Sequence, residues 1–348
     1  MKPRPPVLFR CDGSPEIGLG HVMRCLALAN ELREVHGCQI AFAMQRGPLG
    51  FGLVKQNGYR IFGPPDPAKF FDASQWLLET IRNVGAQVLV LDVRDNLPRE
   101  GVEALRKQGI LIATLDDSSE RRLAADLAFY PPVPQVENLE WTDFSGKLYV
   151  GWEWVVLGRD IAHCPTRVAH SRPVVLVTMG GSDPAGLTLR AVAALELLEE
   201  DFETKVMLGP GFSHHEALKK LVAGARRKFE VHENLADLIA VMAQADLAVA
   251  SFGVTAYELA AMGVPAIHLC LTDDHAISAS MFEDHGLALN MGAYSGVLPK
   301  QVAEAVRDLL ADPAGRERMA RAGQALVDGR GAERVAAVIV HAISDQPH

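Results

Sequence analysis

The chain has 348 residues, 49% of them hydrophobic and 22% charged, with a formal net charge of −9. That length exceeds one ordinary core and suits two soluble globular domains. The acidic balance excludes a general nucleic-acid or membrane-surface binder, so any phosphate must be held by local dipoles and a few cations.

The opening Met1-Lys2-Pro3-Arg4-Pro5-Pro6 lacks the apolar core of a signal peptide and no long apolar span follows, so a cytoplasmic protein with no integral membrane segment is expected. Short aliphatic runs predict buried parallel strands over 7–10, 39–43, 59–62, 87–91, 110–115 and 123–129. Helical patterns over 21–35, 74–84 and 99–107 lie between them, and the alternation reads as βαβ units. Pro131 to Pro134 break the pattern, and Gly151-Trp152-Glu153-Trp154 closes the first half, with both tryptophans expected to pack between domains. The polar stretch after Gly158 reads as a linker over 159–172, separating an N-terminal domain over 1–158 from a C-terminal domain over 173–348. In the second half, strands are predicted over 174–178, 205–208, 229–232, 247–250, 266–269 and 288–290. Helices are predicted over 186–199, 236–244, 256–262, 275–285, 299–310, 315–327 and 333–344, the last of them free to fold back on the first domain. The fold class is α/β: two doubly wound, Rossmann-like domains facing across a cleft, with ligand at the carboxyl ends of the strands.

Three strand-to-helix junctions carry the chemistry. In the first, Asp12-Gly13-Ser14-Pro15-Glu16-Ile17-Gly18-Leu19-Gly20-His21 leads into Val22-Met23-Arg24. An acid, a base and exposed backbone N–H groups surround one turn. A helix N-terminus attracts anions, and a histidine there can take a proton from water or a hydroxyl. In the second, Gly180-Gly181-Ser182-Asp183-Pro184 follows a strand; Ser182 or Asp183 can cap the helix, with Pro184 at its first position. In the third, Ser251-Phe252-Gly253-Val254-Thr255 offers hydroxyls and N–H groups to a diphosphate, and Glu258 one turn inside can accept from a ribose diol. None is a Walker A loop. Met23 stands where the dinucleotide fingerprint wants a small residue, which disfavours a nicotinamide enzyme.

The five cysteines (11, 25, 38, 164 and 270) form no CxxC and read as buried or inert thiols. His268, inside an apolar strand, reads as a satisfied core residue, and His214-His215 as a solvated turn. Lys219-Lys220 and Arg226-Arg227-Lys228 read as solvated faces. Nothing in the sequence calls for a cofactor or a metal.

The motifs Arg10-x-Asp12, Ile17-Gly18-x-Gly20-His21-x-x-Arg24, Gly180-Gly181-Ser182-Asp183-Pro184, Ser251-x-Gly253-x-Thr255-x-x-Glu258 and the tail 328–334 together resemble the PseG/SpsG family, from residue 7 to about 340. The best-known members of that family are UDP-2,4-diacetamido-2,4,6-trideoxy-β-L-altropyranose hydrolases of pseudaminic (nonulosonic) acid biosynthesis, with a fold similar to the MurG-like GT-B glycosyltransferases. The resemblance implies that His21 is the base activating water, with Asp12 nearby. It implies nucleotide contacts from Gly180, Gly181, Ser182, Ser251, Gly253 and Thr255, a ribose contact from Glu258, and Gly18, Gly20 and Arg24 at the substrate. Two positions depart from the family pattern. Asp92-Val93-Arg94 stands where the family carries Asp-x-Tyr, and Asp273-Asp274-His275 where it carries Asp-Asn-Gln. Arg94, Asp274 and His275 are therefore expected at the sugar, where an arginine can pair with a carboxylate or a second phosphate. Asp116-Asp117 keeps a family-like pair and reads equally as a surface turn.

Three functions follow as alternatives: a nucleotide-sugar hydrolase acting on a UDP-sugar or a related donor, a GT-B glycosyltransferase with a sugar or lipid acceptor at the same base, and a non-catalytic nucleotide-sugar-binding subunit motivated by Arg94 and Asp274-His275. The sugar, the nucleobase and the oligomeric state are not encoded in these patterns.

Overall fold

A computed structural model describes residues 5–14, 18–45, 48–64, 72–163, 170–233 and 238–345. Pro15, Glu16 and Ile17 of the first motif, Cys164 and residues 164–169 of the expected linker lie outside the described residues. The chain divides into two units, Met1–Arg159 with Arg330–His348, and Asp160–Gly329. Among the described residues, no helix is long and apolar enough to cross a membrane.

The first unit is built on strands β1 (Val7–Cys11), β2 (Ile40–Ala43), β3 (Arg60–Phe62), β4 (Val88–Asp92), β5 (Leu111–Leu115), β6 (Leu127–Tyr130) and β7 (Lys147–Val150). They form one sheet in the order β3-β2-β1-β4-β5-β6-β7, parallel throughout. Helices α1 (Gly20–Glu34), α2 (Pro48–Gln56), α3 (Ala73–Val84), α4 (Arg99–Lys107) and the one-turn α5 (Arg159–Ala162) follow in chain order, α5 running across the unit boundary.

The second unit carries β8 (Val174–Thr178), β9 (Glu203–Leu208), β10 (Phe229–Glu233), β11 (Leu247–Ser251), β12 (Ala266–Cys270) and β13 (Ala288–Ala293). Their order is β10-β9-β8-β11-β12-β13, again parallel. Its helices are α6 (Leu187–Glu196), α7 (His215–Ala223), α8 (Leu238–Ala243), α9 (Val254–Ala261), α10 (Asp273–Asp284), α11 (Pro299–Ala311) and α12 (Pro313–Leu326); α13 (Gly331–Ser344) returns to the first unit.

Each sheet is sandwiched between helix layers, so its central strands are apolar on both faces. Along β1, Val7, Phe9 and Cys11 face a core shared with Leu28 and Leu32 of α1, while Leu8 faces Trp76 and Leu77 of α3. Val335, Ala336 and Ile339 of α13 belong to the same cluster as Leu28 and Leu32. Gly331 opens that helix against the chain at Val155, where a Cβ would stand 1.9 Å from the carbonyl oxygen. In contrast, α12 packs on α9, with Gly323 against Ala260.

The predicted strands are all present, with ends shifted by a few residues, and 123–129 is corrected most. Glu120–Ala124 forms a 3-10 helix and the strand runs over Leu127–Tyr130. Arg121 is drawn to Asp117 and Asp95, and Arg122 to the Ser119 carbonyl and the face of Trp141, so tertiary pairing overrides the strand pattern. Four helices and strands escaped prediction, one of them the single turn α5 inside the expected linker. In α2, the sequence Pro-Leu-Gly-Phe-Gly carries two poor helix formers. The edge strand β7 leaves Leu148 and Val150 exposed, and α7 begins at His215 in what read as a solvated turn. Trp154 lies on Tyr149 (4.7 Å between ring centroids) and Phe129 (5.6 Å), both of its own unit. Arg227 is not on a solvated face, because its guanidinium covers the Phe202 ring at 3.6 Å and donates to three backbone carbonyls.

Candidate functional site

In an open parallel sheet, ligands gather where strand order reverses, outside the carboxyl ends of the strands. In the first unit that point lies between β1 and β4, where the register pairs Cys11 with Asp92. The loop after β1 closes through a hydrogen bond from the Gly18 N–H to the Ser14 carbonyl (2.8 Å) and enters α1 at Gly20. Among the described residues no side chain caps α1, where Leu19 is the N-cap, and the amides of its first turn are left to other partners.

His21 is the second residue of that helix. Its Nδ1 stands 2.6 Å from Oδ1 of Asp92, which is 1% exposed. Arg24, one turn along, grips the same carboxylate through Nε to Oδ2 and Nη2 to Oδ1, both at 2.7 Å, and reaches Asp116 at 3.3 Å through Nη1. The Cys25 thiol donates to Asp92 Oδ2 at 3.7 Å. Burial alone would raise the Asp92 pKa, but Arg24 and His21 hold it well below the usual carboxylate range. An ionised carboxylate against Nδ1 selects the Nδ1–H tautomer and leaves the Nε2 lone pair for a proton. The imidazole is 14% exposed.

Asp12, expected beside His21, is engaged elsewhere. It pairs with the buried Arg10 at 2.5 Å and accepts from the Gln45 N–H at 2.8 Å. The acid against His21 is Asp92, quoted in the sequence only as part of a departing motif. Arg24, expected at substrate, is a partner of Asp92 and Asp116. A second chain of charges continues from Arg10 to Asp95 (2.8 Å), on to Arg121 (2.5 Å) and Asp117 (2.6 Å). Asp117 is buried and also accepts from Ser119, so it is no surface turn. Asp116 adopts a left-handed backbone (φ 51°), uncommon for a residue with a side chain. Arg94 is exposed just beyond β4.

In the second unit the reversal lies between β8 and β11, and Thr178 sits beside Ala250 in register. The two glycine turns therefore start side by side. A Cβ on Gly180, which has φ +72°, would stand 3.6 Å from Ser251 Oγ. Gly209 buttresses the first turn: a Cβ there would come within 2.3 Å of the Gly180 carbonyl oxygen and 2.5 Å of that of Gly181. The Gly211 N–H donates to the Gly181 carbonyl at 2.8 Å.

Asp183 does cap α6, but across a longer turn than expected. Its carboxylate accepts from the Leu187 and Thr188 N–H groups at 2.7 and 2.9 Å, so Gly186 and not Pro184 leads into the helix. Ser182 is buried beside it. Gly253 precedes α9, which has no side-chain cap. Burial pushes the Glu258 carboxyl up to about 7, against a hydrogen bond from Thr255 that favours the charged form.

Asp274 and His275 lie in the first turn of α10, capped by Thr272, whose hydroxyl accepts from the His275 N–H at 3.1 Å. Asp274 is exposed, and the His275 ring centroid is 6.4 Å from that of Phe252. His268 is a core residue as expected, fully buried between Phe252 and Phe282. It is not satisfied: neither ring nitrogen has a hydrogen-bond partner, and burial lowers its pKa to about 4.

Residues 174–335 match the glycosyltransferase family 28 C-terminal domain. The chain is 22% identical over 334 residues to the spore coat polysaccharide biosynthesis protein SpsG of Bacillus subtilis, covering 94% of this chain and 96% of that protein. It is 23% identical over 241 residues to the UDP-2,4-diacetamido-2,4,6-trideoxy-beta-L-altropyranose hydrolase of Campylobacter jejuni, covering 67% and 81%. With an uncharacterized protein of Methanocaldococcus jannaschii it shares 26% identity over 260 residues, 71% of this chain, and it spans about half of that relative's length (52%). Among solved structures it resembles MurG of Acinetobacter baumannii with a TM-score of 0.69 at 18% identity, covering 96% of this chain and 99% of that one. It also resembles the UDP-GlcNAc 2-epimerase of Neisseria meningitidis, solved bound to UDP-GlcNAc, with a TM-score of 0.63 at 11% identity, covering 96% and 100%. The chain is thus a low-identity homologue of SpsG and the altropyranose hydrolase, and its fold is GT-B.

Proposed function

We propose that this chain is a nucleotide-sugar-using enzyme that hydrolyses its donor, releasing a nucleoside diphosphate, UDP in the leading case. The sugar would be an amino or deoxy sugar destined for nonulosonic acid or surface polysaccharide. The carrying observation is the His21–Asp92 pair at the β1–β4 reversal, with Nδ1 engaged at 2.6 Å and Nε2 left as the base. In this reading Nε2 takes a proton from water as the oxygen attacks the anomeric carbon. The bond from that carbon to the diphosphate oxygen breaks, and the diphosphate departs with the electron pair. Asp92 stabilises the imidazolium that forms. Gly180, Gly181, Ser182, Ser251, Gly253 and Thr255 hold the diphosphate through amides and hydroxyls, and Glu258 takes the ribose diol. Gly18 and Gly20 shape the loop that carries His21, and Arg24 and Asp12 hold the charge framework around it. Arg94, Asp274 and His275 read the sugar.

The match of residues 174–335 to a glycosyltransferase domain supports a second reading, in which a sugar or lipid hydroxyl replaces water at the same base. Turnover of a panel of UDP-, GDP- and CMP-sugars, followed by phosphorus NMR without added acceptor, separates the two. Free nucleoside diphosphate from one donor, lost by about 10²-fold or more in His21→Ala, is the hydrolase result. Release that appears only with an added acceptor makes the chain a transferase. Tight UDP binding with no turnover under either condition makes it a binding subunit.

A further inference from the structure

Beneath the His21–Asp92 pair lies a group that the proposed reaction does not use. Cys25 sits on the buried face of α1, one residue beyond Arg24, and Cys11 ends β1 directly beside Asp92 in register. Both thiols are fully buried. Packing accounts for their burial, since a free cysteine behaves as a small hydrophobe. Packing does not account for where the Cys25 sulfur stands: 3.7 Å from Asp92 Oδ2, within donating distance of that carboxylate.

A carboxylate offers about four acceptor positions. At Asp92, Oδ1 takes His21 Nδ1–H and Arg24 Nη2–H, and Oδ2 takes Arg24 Nε–H and the Cys25 S–H. We infer that Cys25 is a positioning residue of the His21–Asp92 pair: its thiol is the fourth donor on Asp92 and tempers the pull of that carboxylate on the imidazole. Burial, then the neighbouring Cys11 and after it the Asp92 carboxylate, keep the thiol protonated, so it is a donor and not a nucleophile. Among the described residues, the charged and titratable groups around His21 are Asp92 from β4, Arg24 and Cys25 from α1, Cys11 from β1, and Asp116 acting through Arg24. Of these, His21 in its Nδ1–H form and Cys25 are the neutral donors in direct contact with Asp92, and Cys25 is the one that takes up no proton in the proposed reaction.

The inference rests on His21 acting through Nε2, yet its first test needs no substrate. The proton shared by His21 Nδ1 and Asp92 gives a downfield NMR resonance. Cys25→Ala removes a donor, makes Asp92 more basic and moves that resonance further downfield, whereas Cys25→Ser keeps a donor and holds it near the wild-type position. With an active donor sugar in hand, the acid limb of kcat/KM moves up by about half a pH unit in Cys25→Ala and stays in place in Cys25→Ser. Where the alanine variant fails to fold, the S–H stretching band of the wild type, assigned by difference against Cys25→Ser, decides. It lies at the frequency of a hydrogen-bonded thiol and rises in Asp92→Asn. An unmoved imidazole resonance in both cysteine variants, or a band at the free-thiol frequency, overturns the inference and leaves the hydrolase reading untouched.

Discussion

At the β1–β4 reversal of the first unit, side chains of both signs are already paired. His21, Arg24 and Cys25 all donate to Asp92, and Arg10, Asp95, Arg121 and Asp117 form an ion-pair chain. At the β8–β11 reversal of the second unit, the material is backbone and hydroxyl: two glycine turns in contact, uncapped amides at α9, and a single carboxyl with a raised pKa. The topology is the same and the chemistry is opposite. A centre that must move a proton is fixed in advance, because an imidazole works only in one tautomer and orientation. A centre that receives a charged ligand leaves donors without partners until the ligand supplies them.

The largest expected effect lies on the fixed side. Asp92→Asn presents an amide to three donors, so turnover falls about 10³- to 10⁴-fold through the wrong imidazole tautomer. Arg24, left with Asp116 at 3.3 Å as its remaining carboxylate, costs the unit about 3 kcal/mol, the low end for a broken buried pair. UDP affinity, measured by calorimetry, stays as it was; an equal loss of affinity would break the division between the units.

The acid sensitivity of the second unit comes next. His268 has a folded pKa of about 4, below its ordinary value of 6.5, so the unfolded chain binds the extra proton between those limits. Stability is therefore lost progressively as pH falls from 6.5 to 4, by up to about 3 kcal/mol. Denaturant unfolding across that range should show the slope in the wild type and a flatter line in His268→Leu.

Gly209→Ala has a smaller and more local effect. The new Cβ pushes on the Gly180 and Gly181 carbonyls, so UDP affinity drops by about tenfold or more while the His21–Asp92 NMR signal is unmoved. The pH linkage at Glu258 comes last, because near neutral pH it is a fraction of that and grows only on acidification. Burial pushes its carboxyl up to about 7, and in the proposed reading the ribose diol donates to the charged form, so UDP affinity weakens by up to about tenfold per pH unit below that point. Glu258→Gln removes this dependence; an affinity that strengthens on acidification would mean that the protonated carboxyl is the binding form.

Much of this was readable from residue patterns. Short aliphatic runs such as Val174–Thr178 could only be buried parallel strands, and the glycine turns after them marked both reversal points. His21 was legible as a candidate base because it stands at a helix start. Its acid was not: Asp92 is 71 residues away and meets His21 only because β4 pairs with β1 in a register that no local signal encodes. Asp12 stood nearer in sequence and was the natural choice, but the buried Arg10 claims it. Likewise, Asp117 read equally as half of a family-like pair and as a turn residue, and only the tertiary pairing with Arg121 decides against the turn, while Leu148 and Val150 hid an edge strand because neither is covered. Local chemistry was therefore visible, and partnerships between distant strands were not.

The last helix has a consequence for how the molecule is made. Val335, Ala336 and Ile339 complete a core whose other members begin at Val7, and Gly331 must slide against the Val155 carbonyl to bring them there. On the ribosome the first unit emerges early with one wall of its core missing, and the whole of the second unit is synthesised before that wall arrives. The usual order, in which the leading domain matures first, is reversed. The second unit can close as soon as it is made, while the unit that bears the proposed base waits for α13.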